Sequence, residues 1–156
     1  MELEINLRNR QIVICRRNKS EIGEDNMEPI WEKLYKEAMN VINPHEVSST
    51  MWVGSVASAV LTKKGNIYVG ICVDTNGSLG MCAERNALST MLTHGENEVD
   101  KVVSVYKDGK VMPSCGACRQ FMMHLGKNAD KIEMLLDNEE KTIKLIDLLP
   151  EYPRYK

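Results

Sequence analysis

Two short cysteine-containing stretches constrain the fold of this chain more than any other feature of its sequence. Residues 81–85 read Met-Cys-Ala-Glu-Arg, and residues 114–120 read Ser-Cys-Gly-Ala-Cys-Arg-Gln. Each stretch follows a loop that carries Gly80 or Pro113, at a point where the pattern predicts that a helix begins. A helix N-terminus stabilises negative charge, so a cysteine there loses its proton more easily. The fold is therefore expected to bring two helix N-termini together.

The two stretches supply three thiols and one carboxylate. Cys82, Cys115 and Cys118 are the thiols, and Glu84 is the carboxylate. Three thiolates leave one position of a tetrahedral zinc free, which is the arrangement of a catalytic site and not of a structural one. A water molecule bound at that position becomes much more acidic. We interpret the pattern as a protein that activates water on zinc, with Glu84 moving the protons.

The charge of such a site needs compensation. Three thiolates over-neutralise zinc and reduce its effect on a bound water, and the two helix N-termini offset part of the excess. Arg85, which follows Glu84, could hydrogen-bond the ligand sulfurs and balance more of the charge. Its spacing fits an ordinary surface arginine equally well.

A Cys-x-x-Cys pair alone does not decide between metal binding, redox chemistry and a structural role. The first stretch favours metal binding among these roles, because it adds a carboxylate: Glu84 shares a predicted helix face with Leu88 and Met91. The second stretch heads a similar stripe formed by Met122 and Leu125. Both motifs are therefore expected to face the interior, where an unpaired carboxylate is costly.

The composition restricts the class of protein and of partner. With 156 residues, 43% hydrophobic and 27% charged, the chain is expected to form an ordinary globular protein. Its formal net charge of −2 provides no general attraction to nucleic acid or to an anionic membrane. The apolar runs are too short for a membrane span and the N-terminus is too charged for a signal peptide, which favours the cytoplasm. There the five cysteines are expected to be free or metal-bound.

The hydrophobic pattern predicts the element order α-β-β-α-β-α-β-β-α. The first helix begins near Pro29, with apolar residues at Ile30, Leu34 and Ala38. The later elements are strands at 53–62 and 66–73, a helix at 82–94, a strand at 99–106, a helix at 115–125, strands at 131–136 and 142–145, and a helical turn at 146–149. Such alternation predicts an α/β fold in which helices pack on a central sheet.

Residues 1–26 differ from the rest of the chain, with five basic residues between Arg8 and Lys19 and one apolar island. We interpret them as an N-terminal extension, either a short added strand or a flexible tail, and residues 27–156 as the catalytic domain. A further hypothesis is that the natural start is Met27, because residues 23–25 are compatible with a purine-rich ribosome-binding sequence. Mass spectrometry of native protein that begins at Met1 would contradict this hypothesis.

The two motifs together resemble those of the zinc-dependent cytidine deaminase superfamily. Residues 82–84 (Cys-Ala-Glu) and 115–120 (Cys-Gly-Ala-Cys-Arg-Gln) match its two metal motifs. A cysteine as the first ligand is similar to the branch that acts on free nucleosides. Residues 55–59, the Gly65 turn and the ending at 148–150 resemble blasticidin-S deaminase.

The resemblance implies a fold and an assembly. The fold is a three-layer α/β/α arrangement around a five-stranded mixed sheet. The assembly is a homotetramer, with a dimer as the alternative, whose sites lie near subunit boundaries. One Zn²⁺ per chain is expected, held by the three cysteines of the motifs.

The resemblance also implies a reaction. Water activated by zinc attacks C4 of a cytosine ring, and Glu84 carries protons to N3 and to the departing amine. The backbone N–H of Ala83 holds the base carbonyl, and the carbonyl of Ser114 accepts from the leaving ammonia. Arg85 balances the charge of the ligand sulfurs.

The sugar side departs from the family pattern. An asparagine and a glutamate or tyrosine are usual after the second strand, whereas this chain has Cys72 and Asp74. Cysteine is a poor partner for a ribose hydroxyl. We expect both residues to contact the substrate, which need not be ordinary cytidine.

Two other positions also depart from the pattern. The proline that usually precedes the second cysteine stands one place early, at Pro113, so that Ser114 intervenes. The aromatic residue that often stacks on the base in this family aligns with Gly54 in this chain. Trp52 could either stack on the base in its place or pack in the core.

The leading hypothesis is therefore hydrolytic deamination of a cytosine-type nucleoside, with a blasticidin-S-type antibiotic as the alternative substrate. A polynucleotide substrate is disfavoured, because the chain is slightly acidic and has 5% aromatic residues. A catalytically silent zinc scaffold is a second alternative, against which the retained Glu84 argues. A thiol redox protein is the last alternative, and stoichiometric zinc in the purified protein would exclude it.

Overall fold

A computed structural model describes residues 28–153 of the chain. The predicted extension at residues 1–26 lies outside this range. The helices are α1 (Pro29–Asn40), α2 (Ala83–Thr93) and α3 (Gly116–Met123), with single 3₁₀ turns at Ala129–Lys131 and Leu145–Leu148. The strands are β1 (His45–Ser48), β2 (Met51–Thr62), β3 (Ile67–Thr75), β4 (Val99–Tyr106), β5 (Glu133–Leu135) and β6 (Thr142–Lys144). Within the described range, the helices are too short or too polar to cross a membrane.

The strands form one mixed sheet in the order β3-β2-β4-β5-β6. The β4–β5 pair is parallel, whereas β2 pairs antiparallel with both β3 and β4. These five strands are the mixed sheet that the resemblance implies. A sixth strand, β1, pairs with the start of β2 through His45 and Val53. The sequence did not predict β1, because all four of its residues are exposed and it shows no apolar alternation.

The sheet lies between two helical layers, as expected. Along β2, Ala57, Ala59 and Leu61 pack with Trp31 and other residues of α1 on one face. Val60 points to the other face, where it packs with buried residues of α2 and α3. Since successive strand residues face opposite sides, this alternation confirms the α/β/α arrangement.

The two site helices begin one residue later than predicted. Cys82 and Cys115 are N-cap residues in extended conformation, and the helices start at Ala83 and Gly116. The predicted strand at 131–136 is shorter, because a 3₁₀ turn at Ala129–Lys131 occupies its beginning. Both differences lie at element ends, where local preferences are weakest.

Close packing of α2 on β3 fixes the position of the first cysteine motif relative to the sheet. A Cβ atom on Gly70 of β3 would lie 2.3 Å from the backbone nitrogen of Ala87 in α2. The side-chain amide of Asn86 donates to the carbonyl of Ile71 at 3.0 Å. Glycine therefore permits the helix to lie directly against the strand.

The loop before α2 is held by a backbone bridge. The N–H groups of Val73 and Met81 each donate to the carbonyl of the other residue at 2.8 Å. A Cβ atom on Gly80 would lie 2.8 Å from the Val73 carbonyl oxygen, so the turn needs a glycine there. The bridge places Cys82 next to the end of β3.

Candidate metal centre

The structure brings the three predicted thiols together. The sulfur of Cys82 lies 3.6 Å from that of Cys115, which lies 3.5 Å from that of Cys118. The three ligand atoms all lie within 4.8 Å of one another. These distances are far longer than a disulfide bond, and all three cysteines are free.

The donor set fits zinc. Sulfurs at a zinc–sulfur distance of about 2.3 Å in tetrahedral geometry lie about 3.8 Å apart, close to the observed spacing. Among residues 28–153 the group comprises these three side chains. Three sulfur ligands leave the fourth tetrahedral position for water or substrate.

The electrostatics around the thiols also favour a bound cation. Burial raises the pKa of the Cys118 thiol, and the nearby Glu84 carboxylate raises it further. Burial and the hydrogen bond with Cys115 raise the pKa of Cys82. Burial alone would raise the pKa of Cys115, but hydrogen bonds from the backbone and side chain of Cys118 outweigh it and lower that pKa. Three thiolates in this space therefore need a compensating positive charge.

Glu84 lies in the first turn of α2, with its side chain 5% exposed. Its Oε2 accepts from the Cys118 sulfur at 3.6 Å. The helix therefore turns this carboxylate inward, as the spacing with Leu88 and Met91 predicts, and all three residues are buried. A carboxylate held beside a metal site can exchange protons with a water molecule bound there.

Arg85 interacts electrostatically with two of the same sulfurs. Burial lowers the pKa of its guanidinium, but hydrogen bonds and charge interactions with Cys82 and Cys118 outweigh burial and raise that pKa. Its Nε atom is buried without a hydrogen-bond partner in the described part of the chain. Arg85 is half-buried and lines the cleft, where its guanidinium can balance thiolate charge.

An open cleft of about 570 Å³ adjoins the thiols. Its lining includes Cys82, Glu84, Cys72 and Asp74, which were predicted, and Tyr106, which was not. The lining residues that the sequence did not indicate include three from the end of β4 and the loop after it: Ser104, Tyr106 and Met112. The only sequence signal for them was their position after a buried strand.

The sugar-side pair forms its own contact. The Cys72 sulfur accepts from the Val56 N–H at 3.3 Å and donates to Oδ2 of Asp74 at 3.5 Å. Cys72 is 6% exposed, and burial raises the pKa of its thiol. Asp74 is exposed at the cleft. Both residues therefore line the cleft, Cys72 buried in its wall and Asp74 exposed.

Trp52 adopts neither of the two roles considered for it. Its side chain is 40% exposed, so it is not part of the core, and it lies outside the lining of the cleft. Gly54 has a φ of +78°, and an added Cβ atom would lie 2.3 Å from the Asn43 carbonyl oxygen. The backbone at this point excludes an aromatic side chain.

Ser114, which was predicted to contact the substrate, is buried and is not among the residues that line the cleft, although its neighbours Pro113 and Cys115 are. Its carbonyl oxygen accepts from Nε of Arg119 at 2.8 Å. Nη1 of the same guanidinium donates to the carbonyl of Leu148 at 3.2 Å. Arg119 therefore connects the loop before α3 with the C-terminal 3₁₀ turn.

Comparison with known proteins yields one family. Residues 30–134 match the model of the cytidine and deoxycytidylate deaminase zinc-binding region. A cytidine deaminase of Halalkalibacterium halodurans is 34% identical over 98 residues, which are 61% of this chain and 74% of that protein. A probable cytidine deaminase of Dictyostelium discoideum is 39% identical over 75 residues, which are 46% of this chain and 50% of that protein.

Solved structures give the same result for the fold. The cytidine deaminase from Burkholderia pseudomallei aligns with a TM-score of 0.61 and 28% identity, covering 77% of this chain and 96% of that one. The cytidine deaminase from Mycobacterium leprae aligns with a TM-score of 0.65 at 24% identity, covering 80% of this chain and 100% of that one. The family match spans more than half of the chain and includes both cysteine motifs. The chain therefore belongs to the cytidine and deoxycytidylate deaminase family and carries its zinc-binding region.

Proposed function

We propose that this protein is a zinc-dependent hydrolase that removes the 4-amino group of a cytosine-type nucleoside and releases ammonia. One observation carries the proposal, the placement of three cysteine sulfurs within 4.8 Å of one another with the buried Glu84 carboxylate beside them. A structural zinc site has no use for that carboxylate. The relatives named as cytidine deaminases support the same reaction.

Cys82, Cys115 and Cys118 would hold the zinc, one ion per chain. When bound, zinc supplies the acidity that makes a water molecule a nucleophile at neutral pH. The N-termini of α2 and α3 and the guanidinium of Arg85 stabilise the thiolate charge. With zinc bound as well, the three sulfurs would be deprotonated ligands.

Glu84 moves the protons. Its carboxylate takes a proton from the attacking water and passes it to N3 of the base; it then takes the second proton, from the hydroxyl newly formed at C4, and delivers it to the departing amine. Burial supports this role, because bulk water is kept from the carboxylate. The balance is hydrolytic: water adds at C4, the C4–N4 bond breaks, and ammonia leaves.

Two backbone groups orient the base. The N–H of Ala83 is in the first turn of α2, where it has no acceptor within the helix, and it donates to the 2-carbonyl of the base. The carbonyl of Ser114 accepts from the amine as it leaves. Both groups adjoin a cysteine that would bind zinc, so they would orient the base beside the position that the metal would occupy.

The cleft accommodates the sugar. Its volume of about 570 Å³ is in the range typical of small-molecule sites. Asp74 accepts from a sugar hydroxyl, whereas Cys72 contributes its apolar surface, since its sulfur already contacts Val56 and Asp74. The side chain of Tyr106 lies at the same cleft and is a candidate to pack on the substrate.

The test is ammonia release over a panel of substrates: cytidine, deoxycytidine, deoxycytidylate, cytosine, blasticidin S and other aminopyrimidines. We expect turnover of at least one nucleoside, near-total loss in Glu84→Ala, and one zinc per chain in both proteins. A preference for blasticidin S would assign the protein to antibiotic deamination. Zinc without turnover of any compound would identify a scaffold and overturn the proposal.

We also propose the assembly and location that the resemblance implies. The catalytic domain comprises residues 27–156, consistent with a family match that begins at residue 30. It forms a homotetramer in the cytoplasm, with each site near a subunit boundary. Sedimentation at several concentrations tests the tetramer, and a stable monomer that retains full activity would contradict it.

A further inference from the structure

The guanidinium of Arg119 donates hydrogen bonds to two backbone carbonyls, and the proposed reaction assigns no role to this residue. It lies in the first turn of α3, and its side chain runs back toward the start of the helix. Nε donates to the Ser114 carbonyl at 2.8 Å, and Nη1 donates to the Leu148 carbonyl at 3.2 Å. One rigid guanidinium thus joins two backbone oxygens that lie far apart in the chain.

The position of this cation is unusual for a helix. Positive charge near a helix N-terminus is unfavourable, because the macrodipole is positive there. Arg119 is nevertheless half-buried at that end. Its hydrogen bonds to two carbonyl oxygens offset the unfavourable interaction with the helix dipole. A solvated arginine at this position would lack that compensation.

The Ser114 carbonyl has no fixed partner in the secondary structure around it. It precedes the N-cap Cys115, so it lies outside the hydrogen-bond pattern of α3. Among the loop and cap hydrogen bonds of the described residues, no backbone N–H donates to it. The orientation of this carbonyl is therefore set by a side chain, that of Arg119.

A carbonyl oxygen has two lone pairs. Arg119 uses one of those on Ser114, which fixes the plane of the peptide and leaves the second to another donor. A lysine could reach one of the two carbonyls but not both in this planar geometry.

We propose that Arg119 is a positioning residue that fixes the Ser114 carbonyl as the acceptor for the amine that leaves the substrate. This inference rests on the proposed function. It also involves Leu148, which lies beyond the part of the chain that matches the family. The C-terminal 3₁₀ turn is thereby a support of the active site.

The contact should matter most as the amine departs. The substrate amine becomes a better donor when it gains a proton and the C4–N4 bond breaks, so its bond to Ser114 strengthens along the reaction. Loss of a correctly placed acceptor should therefore lower kcat more than it raises KM.

The experiment compares Arg119→Gln and Arg119→Lys with the wild-type enzyme on the best nucleoside of the substrate panel. We expect kcat to fall about 10- to 100-fold in Arg119→Gln, with KM within about 3-fold, because one hydrogen bond to a charged group is affected. Arg119→Lys should recover part of kcat. Zinc content and melting temperature, measured on the same samples, should show one zinc per chain and a folded protein.

A second substrate separates positioning from general damage. The 4-methoxy analogue of the same nucleoside loses methanol when its C4–O bond breaks, and its leaving group has no N–H to donate in the ground state. We expect its turnover to be much less affected by Arg119→Gln. If the wild-type enzyme does not turn over this analogue, the test is whether Arg119→Gln changes kcat or KM for the nucleoside, because a positioning role predicts a change in kcat.

The matched control is Gln120→Ala. Gln120 is the next residue of α3, is exposed, and contacts His124 and Tyr152 but not the site. Its kcat and KM should equal those of the wild type. An unchanged kcat in Arg119→Gln, a loss carried by KM, or a loss of zinc would overturn the inference. Failure of the proposed function would instead show earlier, as an inactive wild-type protein.

Discussion

Glu84 occupies a position that ordinary helix preferences explain only in part. A glutamate in the first turn is favoured by the helix dipole, but such residues are usually solvated. Here the side chain is 5% exposed and lies against the Cys118 sulfur. Burial of a carboxylate beside thiols is unfavourable for folding, so stability does not explain the placement, and the proposed catalytic role does.

Replacing Glu84 with glutamine should separate proton transfer from zinc binding. The amide keeps the shape of the side chain but cannot carry protons between water and base. We expect activity to fall about 10²- to 10⁴-fold, with zinc content unchanged. Steady-state kinetics and metal analysis measure the two effects. Glu98→Gln, at an exposed glutamate after α2, is the control and should keep full activity. Loss of zinc from Glu84→Gln would show that the carboxylate has been assigned the wrong role.

Asp74 should contribute to binding of the sugar of the substrate and not to binding of the base. If its exposed carboxylate accepts from a sugar hydroxyl, Asp74→Ala should raise KM for the nucleoside about 10- to 100-fold. Free cytosine, which lacks the sugar, provides an internal control in the same protein. The value of kcat/KM for free cytosine, even if low, should be the same in the wild type and in Asp74→Ala. An equal loss on nucleoside and free base would place Asp74 outside the sugar subsite.

The thiols and Glu84 were predictable because their positions follow from local rules. A helix start after Gly80 and a spacing of three and four residues determine which way the side chains point. Tyr106 was not predictable in this way. It reaches the cleft because β4 pairs with β2 in a particular register, with Tyr106 opposite Val56. Long-range register of this kind leaves no local signal.

At the scale of elements, the contact between α2 and β3 determines where the first motif lies. The helix approaches so closely that Gly70 faces backbone atoms of α2, and a Cβ atom would lie 2.3 Å from the Ala87 nitrogen and 2.7 Å from the Ala83 oxygen. Backbone atoms cannot rotate away as a side chain can. A methyl group at Gly70 must therefore move the helix that carries Glu84.

Gly70→Ala should consequently reduce stability and activity together. Overpacking typically costs about 1–3 kcal/mol, and displacement of the helix should weaken catalysis further. Urea unfolding and substrate kinetics measure both. Gly116→Ala is the matched control for stability, because an added Cβ atom there has no neighbour within 4 Å. It should unfold at the same urea concentration or a slightly higher one. Equal stability of Gly70→Ala and the wild type would contradict the close approach.

The fold was largely predictable at this scale, and its exceptions have physical causes. The helices and central strands carry clear apolar periodicity, so their type and order were predicted correctly. Strand β1 was missed because it is exposed on every residue. The start of β5 was replaced by a 3₁₀ turn, which residues 129–131 adopt by packing Ala129 into the core beside Met122. Tertiary packing determined both outcomes.

At the scale of the whole molecule, Glu96 links the helical layer to the sheet. It follows Gly95, which ends the region of α2, and its side chain is 7% exposed. Its carboxylate accepts from the Asn66 amide at 2.5 Å and from the Tyr68 hydroxyl at 2.9 Å. Hydrogen bonds from Thr62, Asn66 and Tyr68 outweigh burial and lower the pKa of Glu96 below its ordinary value. The end of α2 is thereby held to the turn between β2 and β3.

This shift makes a prediction about stability and pH. A lowered pKa means that the folded state binds the proton more weakly than the unfolded state. The contribution of Glu96 is therefore complete above the ordinary carboxyl pKa of 4.5, and is lost as pH falls through the folded value below it. The wild type should be more stable than Glu96→Gln at pH 7, and the difference should shrink as the pH falls below about 4.5.

Chemical unfolding of both proteins between pH 7 and pH 3 measures the difference in the free energy of unfolding. Tyr68→Phe is the matched variant, because it removes one donor and leaves the carboxylate. Its difference from the wild type should be smaller than that of Glu96→Gln and should also decrease at low pH. In the Glu96→Gln background the same change should cost less, since the donor then contacts a neutral amide. A stability difference between wild type and Glu96→Gln that stays constant, or grows, as the pH falls would contradict the link between this carboxylate and the fold.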